Sequence, residues 1–357
     1  MLDPRDAPQM PDPGIPGWTR VPDLPRAHGE PLAQGRIRVA AEDFQVEEIL
    51  GFDPDGEGDH LLLWVRKTGA NTEWVARKLA ALVQVPASTV GYAGLKDRHA
   101  VTLQWFSVPR PREGRPDWAS LEPLGIEVLA EHPHRRKLKR GALAGNRFRL
   151  LIRDFAPAPD ALQSRLRQIR ERGVPGYFGE QRFGHDDGNL LRAHALLSGA
   201  AGRVPRHERG LWLSAARSQV FNEVLAERVR RGSWDQPQPG DCLQLDGSHS
   251  HFVAETIDDT LVARAAAMDL HPSGPLWGEG ELPTRGPVSR LEEEVVAPFS
   301  VWLQGLARAG LTQERRALRL RVDDLTATES DAGLILELRL PAGAYATTVL
   351  RELLLYP

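Results

Sequence analysis

One carboxylate, Asp97, stands between two cations in the segment Gly91-Tyr-Ala-Gly-Leu-Lys-Asp-Arg-His-Ala-Val-Thr102. Cations at Lys96 and Arg98 would hold Asp97 ionised, which a nucleophilic or charge-stabilising carboxylate requires. Glycines at 91 and 94 would let backbone or ligand approach closely. By spacing alone the same residues also describe a solvated surface turn. Other constellations carry less. His249 and His251 fall on one side of a strand but lack a third metal ligand, so no metal site is expected. Asp97, His99 and a distant serine lack the Gly-x-Ser-x-Gly elbow of a hydrolase, and neither a P-loop nor a dinucleotide fingerprint occurs. The single cysteine, Cys242, cannot form an internal disulfide and reads as a small buried residue.

The elements that must position these residues can be read from periodicity. Phe44 and Val46 share one side of a β segment within Arg36–Leu50, and His60–Arg66 reads as a short apolar strand. Asn71 or Thr72 can cap a helix with Val75, Leu79, Leu82 and Val83 on one face. Val101, Leu103 and Trp105 alternate with polar neighbours, as do Phe148, Leu150 and Ile152, predicting half-buried strands with those residues inward. Leu162, Leu166 and Ile169 mark a helix stopped by Gly173 and Pro175. Ser214 is expected to cap a helix carrying Val220, Phe221, Val224, Leu225 and Val229, and later helical segments break at Pro298. Leu334, Leu336, Leu338 and Leu340 alternate before a final helix reaching about Leu354. Strands and helices mix without a βαβ rhythm, so the class is α+β.

Composition sets outer limits. The 357 residues are 41% hydrophobic and 26% charged, ordinary for a folded globular chain of about two domains. No apolar run approaches the ~18 residues of a membrane span, so no membrane partner and a cytoplasmic location are expected. Eight prolines in the first 31 residues suggest an extended, mobile lead-in. The net charge is −3, yet between Glu131 and Arg153 eight cations (Arg135, Arg136, Lys137, Lys139, Arg140, Arg147, Arg149, Arg153) face one acid, a local +7. A polyanion is attracted to such a patch through counterion release; a solvated face is the ordinary alternative.

Several segments in this order resemble the TruD family of pseudouridine synthases. They are Glu42-Asp-Phe-Gln-Val-Glu-Glu48, Gly91–Thr102 as above, Lys137-Leu-Lys-Arg-Gly-Ala-Leu-Ala-Gly-Asn-Arg-Phe148, Gly173-Val-Pro-Gly-Tyr-Phe-Gly-Glu-Gln-Arg-Phe-Gly184, Leu213-Ser-Ala-Ala-Arg-Ser-Gln-Val-Phe-Asn222 and Leu340-Pro-Ala-Gly-Ala-Tyr-Ala-Thr-Thr-Val-Leu-Arg-Glu352. The similarity spans about residues 35–355. It implies a catalytic domain with a mixed, largely antiparallel sheet, residues 35–171 plus 320–357, interrupted by an inserted α+β domain at 172–319. The two are expected to form a V-shaped cleft for tRNA, with residues 1–34 as the lead-in. Such enzymes isomerise uridine 13 of tRNA, without metal or organic cofactor, and a monomer is expected.

The resemblance also implies roles residue by residue. Asp97 matches the nucleophile of the Gly-Leu-Lys-Asp segment. Phe44 matches a phenylalanine lining the uracil pocket, Asn146 an asparagine that contacts the base, and Phe148 the aromatic position of that segment. Tyr345 matches a pocket position where phenylalanine is commoner, and Arg38 one where lysine is commoner; Ala41 stands where proline often precedes Glu-Asp-Phe. Arg135, Arg136, Lys137, Lys139 and Arg140 form the expected RNA-binding patch. Two other classes stay open: a noncatalytic tRNA-binding or chaperone protein, which would not need Asp97, and a different tRNA-modifying enzyme such as a methyltransferase, which would need a cofactor site.

Overall fold

A computed structural model describes residues 16–111 and 114–356. The chain divides into two units, His28–Val174 with Leu320–Pro357, and Met1–Ala27 with Pro175–Arg319. The fold is mixed α+β.

The first unit is built on an eight-stranded sheet. Its path runs Asp323–Ser330, Gly333–Pro341, Gly145–Ile152, Phe44–Ile49, Val101–Pro109, His60–Thr68 and Ile126–His134, with the short strand Gly91–Tyr92 added beside Val101–Pro109. Every pairing is antiparallel except Phe44–Ile49 on Val101–Pro109, so the sheet is mixed and largely antiparallel. The alternation of Phe148, Leu150 and Ile152, and of Leu334, Leu336, Leu338 and Leu340, buries those residues together with Phe44 and Val46. Helix Pro159–Arg172 adds Leu162, Leu166 and Ile169 to that core before Gly173, at φ 71°, ends it. A second core joins Leu61, Leu63, Val65, Phe106 and Val108 to Val75 and Leu79 of helix Thr72–Leu82.

Strand Val101–Pro109 reverses the expected facing. Thr102 and Gln104 are fully buried, whereas Val101, Leu103 and Trp105 are half-buried. Alternation predicts a strand correctly but assigns its inner face by polarity; here Gln104 is inside with a loop carbonyl to bind, while the buried Thr102 hydroxyl has no hydrogen-bond partner among the described residues. Helix Thr72–Leu82 differs in its cap: Asn71 makes no side-chain cap bond, and Thr72 donates to Gln104 Oε1 at 3.1 Å. The last helix is short, Ala346–Leu350, and the chain then turns into strand Leu354–Leu355, parallel to Ala33–Gln34.

The second unit contains an antiparallel sheet of His251–Ala254, Asp241–Leu245, Leu270–Leu276 and Glu314–Ala317. Its longest helix is Arg206–Arg230, so Ser214 is not a cap but an interior residue that accepts from Arg182 Nη1 at 2.9 Å. Helices Gly286–Val296 and Ser300–Arg308 are separated at Ala297–Phe299, where Pro298 lies. Cys242 is buried, and burial pushes its thiol pKa up. Buried guanidinium–carboxylate pairs, Arg228 with Asp241 and Arg315 with Glu292, satisfy the interior charges.

The described part of the lead-in carries more structure than its prolines suggest. In the second unit Thr19 donates through its backbone N and its hydroxyl to Glu223, at 2.6 and 2.9 Å, and Leu24 is buried. In the first unit His28 donates its backbone N to Glu352 Oε2 at 3.1 Å. Residues 1–15 lie outside the described residues.

Candidate active site

The loop holding Asp97 is fixed from beneath by two strands and the first residue of a helix. Gln104 Nε2 donates to Gly94 O at 2.6 Å, Thr72 Oγ1 accepts from Lys96 N at 3.0 Å, and Lys67 Nζ donates to Asp97 O at 3.0 Å and to Ala70 O at 2.7 Å. Successive peptide groups of the loop are thereby held by side chains that are themselves buried. At the loop's start a Cβ on Gly91 would collide with the Leu138 carbonyl and the Ser107 hydroxyl, so that position needs glycine; one on Gly94 would meet only Lys96 Nζ, at 3.5 Å. Gly94 therefore contributes its carbonyl rather than its missing side chain.

The cations beside Asp97 in sequence are not the ones beside its carboxylate. Lys96 Nζ turns inward to Glu48 Oε2 at 2.5 Å, and both side chains are almost wholly buried. Burial pushes the Glu48 carboxyl up from its ordinary pKa, with Lys96 opposing. Glu48 Oε1 also accepts from Trp105 N at 3.2 Å. Arg98 Nε donates to Gly69 O at 3.3 Å. The partner of the Asp97 carboxylate is instead Arg38, whose Nη2 lies 2.8 Å from Oδ2. Asp97 and Arg38 keep 27% and 34% of their side-chain surface open, enough to meet a substrate from solvent.

Arg38 is in the left-handed region at φ 57°, which costs on the order of 1–3 kcal/mol for a residue other than glycine and persists only where the surroundings enforce it. Here the enforcement is visible. The Arg38 guanidinium carbon stands 4.1 Å from the Phe44 ring centroid while its nitrogen holds Asp97. Asp43 fixes the turn between them: its carboxylate accepts from Ala40 N at 3.0 Å and is chelated by Arg153 at 2.8 and 2.9 Å. The Arg153 hydrogen bonds hold its pKa below the ordinary carboxylate range against burial.

Phe44, Val46 and Glu48 point to one face of their strand, opposite Leu150, Phe148 and Asn146 of the neighbouring strand. Phe148 meets Phe44 edge-on, centroids 6.3 Å apart at 76°. Both rings are buried and belong to the core of the first unit. Asn146 is also buried, and its Oδ1 has no hydrogen-bond partner among the described residues. An unpaired buried amide oxygen costs about 1–3 kcal/mol, and a ligand N–H would remove that cost. Asn146 pairs in register with both Glu48 and Leu340. Tyr345 follows that Leu340 strand as the residue preceding helix Ala346–Leu350, half-buried, with its carbonyl accepting from Thr348 N.

The expected RNA patch lies on the turn leading into strand Gly145–Ile152. Gly141 N donates to Ala93 O at 2.7 Å, and Arg140 stacks on Tyr92 at 4.0 Å while donating to its hydroxyl at 2.7 Å, joining this turn to the Asp97 loop. The +7 sum is not a +7 face. Arg135 pairs with Glu57, Arg140 with Glu73, Arg147 with Glu47, Arg149 with Glu337 and Arg153 with Asp43; Lys137 donates to Ser88 O. Arg136 and Lys139 are exposed and make no side-chain hydrogen bond or ion pair among the described residues, although the Arg136 charge acts on Asp55.

Glu48, Lys67, Thr72 and Gln104 were missed as site residues by the sequence reading. Two signals were present: Glu48 belongs to the Glu42–Glu48 segment, and Lys67 continues the alternation of Leu61, Leu63 and Val65 on one face of its strand.

Comparison with known proteins shows the family of the chain. The family described as tRNA pseudouridine synthase D (TruD) matches residues 26–192 and 188–353. The chain belongs to the TruD family. A tRNA pseudouridine synthase D of Methylococcus capsulatus is 50% identical over 342 residues, covering 96% of each chain. Another, of Nitrosococcus oceani, is 52% identical over 325 residues, covering 90% of this chain and 91% of that one. The crystal structure of a TruD protein from Methanosarcina mazei has the same fold, with a TM-score of 0.66 and 22% identity, covering 95% of this chain and 96% of that one. Among the described residues of this TruD chain, no helix is long and apolar enough to cross a membrane.

Proposed function

We propose that this chain is a tRNA pseudouridine synthase that isomerises uridine 13, with Asp97 as its nucleophile and residues 28–174 plus 320–357 as its catalytic part. The carrying observation is the Asp97 carboxylate, held at 2.8 Å by a guanidinium that stacks on Phe44. An aromatic floor, a fixed and partly open carboxylate and a buried amide with spare acceptor capacity suit a flipped-out uracil, whose N3–H could donate to Asn146 Oδ1.

The reaction breaks the bond from ribose C1′ to N1 and makes one from C1′ to C5; N1 gains a proton and C5 loses one. No electrons are exchanged with any other group, so positioning, charge and proton transfer account for it. Asp97 acts on the nucleoside once the base has left its stack, whether by attack or by assisting removal of a ribose proton. Phe44, with Phe148 behind it, offers a ring face or edge, and Tyr345 a second aromatic surface, to confine the detached uracil as it turns. Arg38 holds the carboxylate aimed. Arg136 and Lys139 would meet phosphates.

The test is tritium release from tRNA labelled at uracil C5, run without added cofactor. Release from a tRNA with uridine 13, and none from the same tRNA carrying cytidine there, is expected. Release that is indifferent to that change removes the position; no release removes the activity.

A further inference from the structure

We infer that Lys67 is a positioning residue for this reaction, its buried ammonium holding the Asp97 backbone and setting the alkaline limit of turnover; this rests on Asp97 being the nucleophile. Lys67 is fully buried near the end of strand His60–Thr68. A lysine there is costly unless its protons are used. Two are, on Ala70 O at 2.7 Å and on Asp97 O at 3.0 Å. One ammonium thus ties the turn that precedes helix Thr72–Leu82 to the peptide that carries the candidate nucleophile. Neither carbonyl belongs to a strand ladder, so the lysine side chain substitutes for a backbone donor at the one residue where a displacement would move the carboxylate.

The surroundings make this bond sensitive to charge. Burial lowers the Lys67 pKa to about 8; Asp97 pulls it back up and Lys96 pushes it further down. Opposite Lys67 on the neighbouring strands stand Thr102 and Ile126, both uncharged. Arg98 is turned to Gly69 O, and Glu73 on helix Thr72–Leu82 is exposed beside Arg140. Protonated Lys67 makes charge-assisted bonds to the two carbonyls, and on deprotonation these become ordinary, weaker ones. The grip on Asp97 therefore loosens as pH rises through about 8.

Stability runs the other way. The unfolded chain keeps this lysine charged to its ordinary pKa of 10.5, so above about 8 the unfolded state binds more protons than the folded one, and stability contributed by Lys67 rises with pH through that window. A merely structural lysine would leave turnover unchanged or improved on the alkaline side.

The experiment measures kcat, KM for tRNA and resistance to urea from pH 6.5 to 9.5 for the wild-type chain, Lys67→Met, Lys67→Arg and Asp97→Asn. For the wild type, kcat should fall through about pH 8 while urea resistance does not. Lys67→Met should lower kcat roughly 10- to 100-fold, with KM within about threefold and no limb near pH 8; Lys67→Arg should recover part of kcat and also lack the limb. A wild-type profile flat across pH 8, a limb retained in Lys67→Met, or kcat losses that simply follow unfolding would each overturn the inference, and the wild-type profile needs no variant to fold. Asp97→Asn separates the two readings. If it stays active, the nucleophile assignment fails; if it is inactive while Lys67→Met turns over normally, only the role of Lys67 fails.

Discussion

At Tyr345 a single hydroxyl separates two accounts of how a uracil ring would be confined. If the ring supplies the surface, Tyr345→Phe should leave kcat/KM within about threefold and Tyr345→Ala should cost about 1–3 kcal/mol, roughly 5- to 150-fold. Equal damage from both, in folded protein, would make the hydroxyl the active feature. Silence from both would put Tyr345 outside the site. Asp97, Phe44, Asn146 and Phe148 were legible as candidates only through their segments; by type and spacing they are a turn acid, two core aromatics and a turn amide. What no spacing rule could supply was which charge meets which. Lys96 and Arg98 flank Asp97 in the chain yet bind Glu48 and Gly69, while the carboxylate's partner, Arg38, comes from a separate loop whose backbone is bent into the left-handed region to reach it. Adjacent residues in an irregular loop point in different directions, so chain neighbours are poor guides to electrostatic neighbours.

Among the elements, strand Val101–Pro109 positions the loop because its polar side chains are inside. Gln104→Leu keeps the volume but strands Gly94 O and the Thr72 hydroxyl, at about 1–3 kcal/mol for each group left unsatisfied. It should also lower kcat roughly 10- to 100-fold by freeing the loop that carries Asp97. Urea denaturation and single-turnover kinetics check the two effects separately; a destabilised variant with normal turnover would show that the loop keeps its own shape. The same strand marks the limit of hydrophobic patterning. Where apolar residues line the core, as at Phe148–Ile152 and Leu334–Leu340, alternation gives both the strand and its inner face. Where hydrogen bonds replace apolar contact, as at Gln104, it gives the strand and inverts the face. Helix Arg206–Arg230 begins before Ser214 with a polar first turn, Arg206–Arg209, that gives no apolar period to mark its start, and the last helix ends before Leu354 because that leucine is claimed by pairing with Ala33.

Over the whole molecule, charge is arranged more evenly than the chain order implies. Five of the eight cations of residues 135–153 are matched by Glu57, Glu73, Glu47, Glu337 and Asp43, acids brought in by other segments and invisible to a local sum. Exposed pairs of this kind are worth roughly 0–1 kcal/mol and can be exchanged for phosphate, but the cations without a side-chain hydrogen bond or ion pair should dominate RNA affinity. Arg136→Glu with Lys139→Glu should therefore weaken tRNA binding and reduce the slope of log affinity against log salt by about one for each phosphate no longer neutralised, measured by filter binding across a salt series; an unchanged slope would make this turn a solvated face. All of these effects presuppose the chemistry at Asp97. The most direct measurement is tritium release from C5-labelled tRNA by Asp97→Asn, with tRNA affinity and thermal unfolding recorded on the same preparation. Release below detection, with folding and binding close to those of the wild type, is the expected result; turnover near the wild-type rate would contradict the account at its centre.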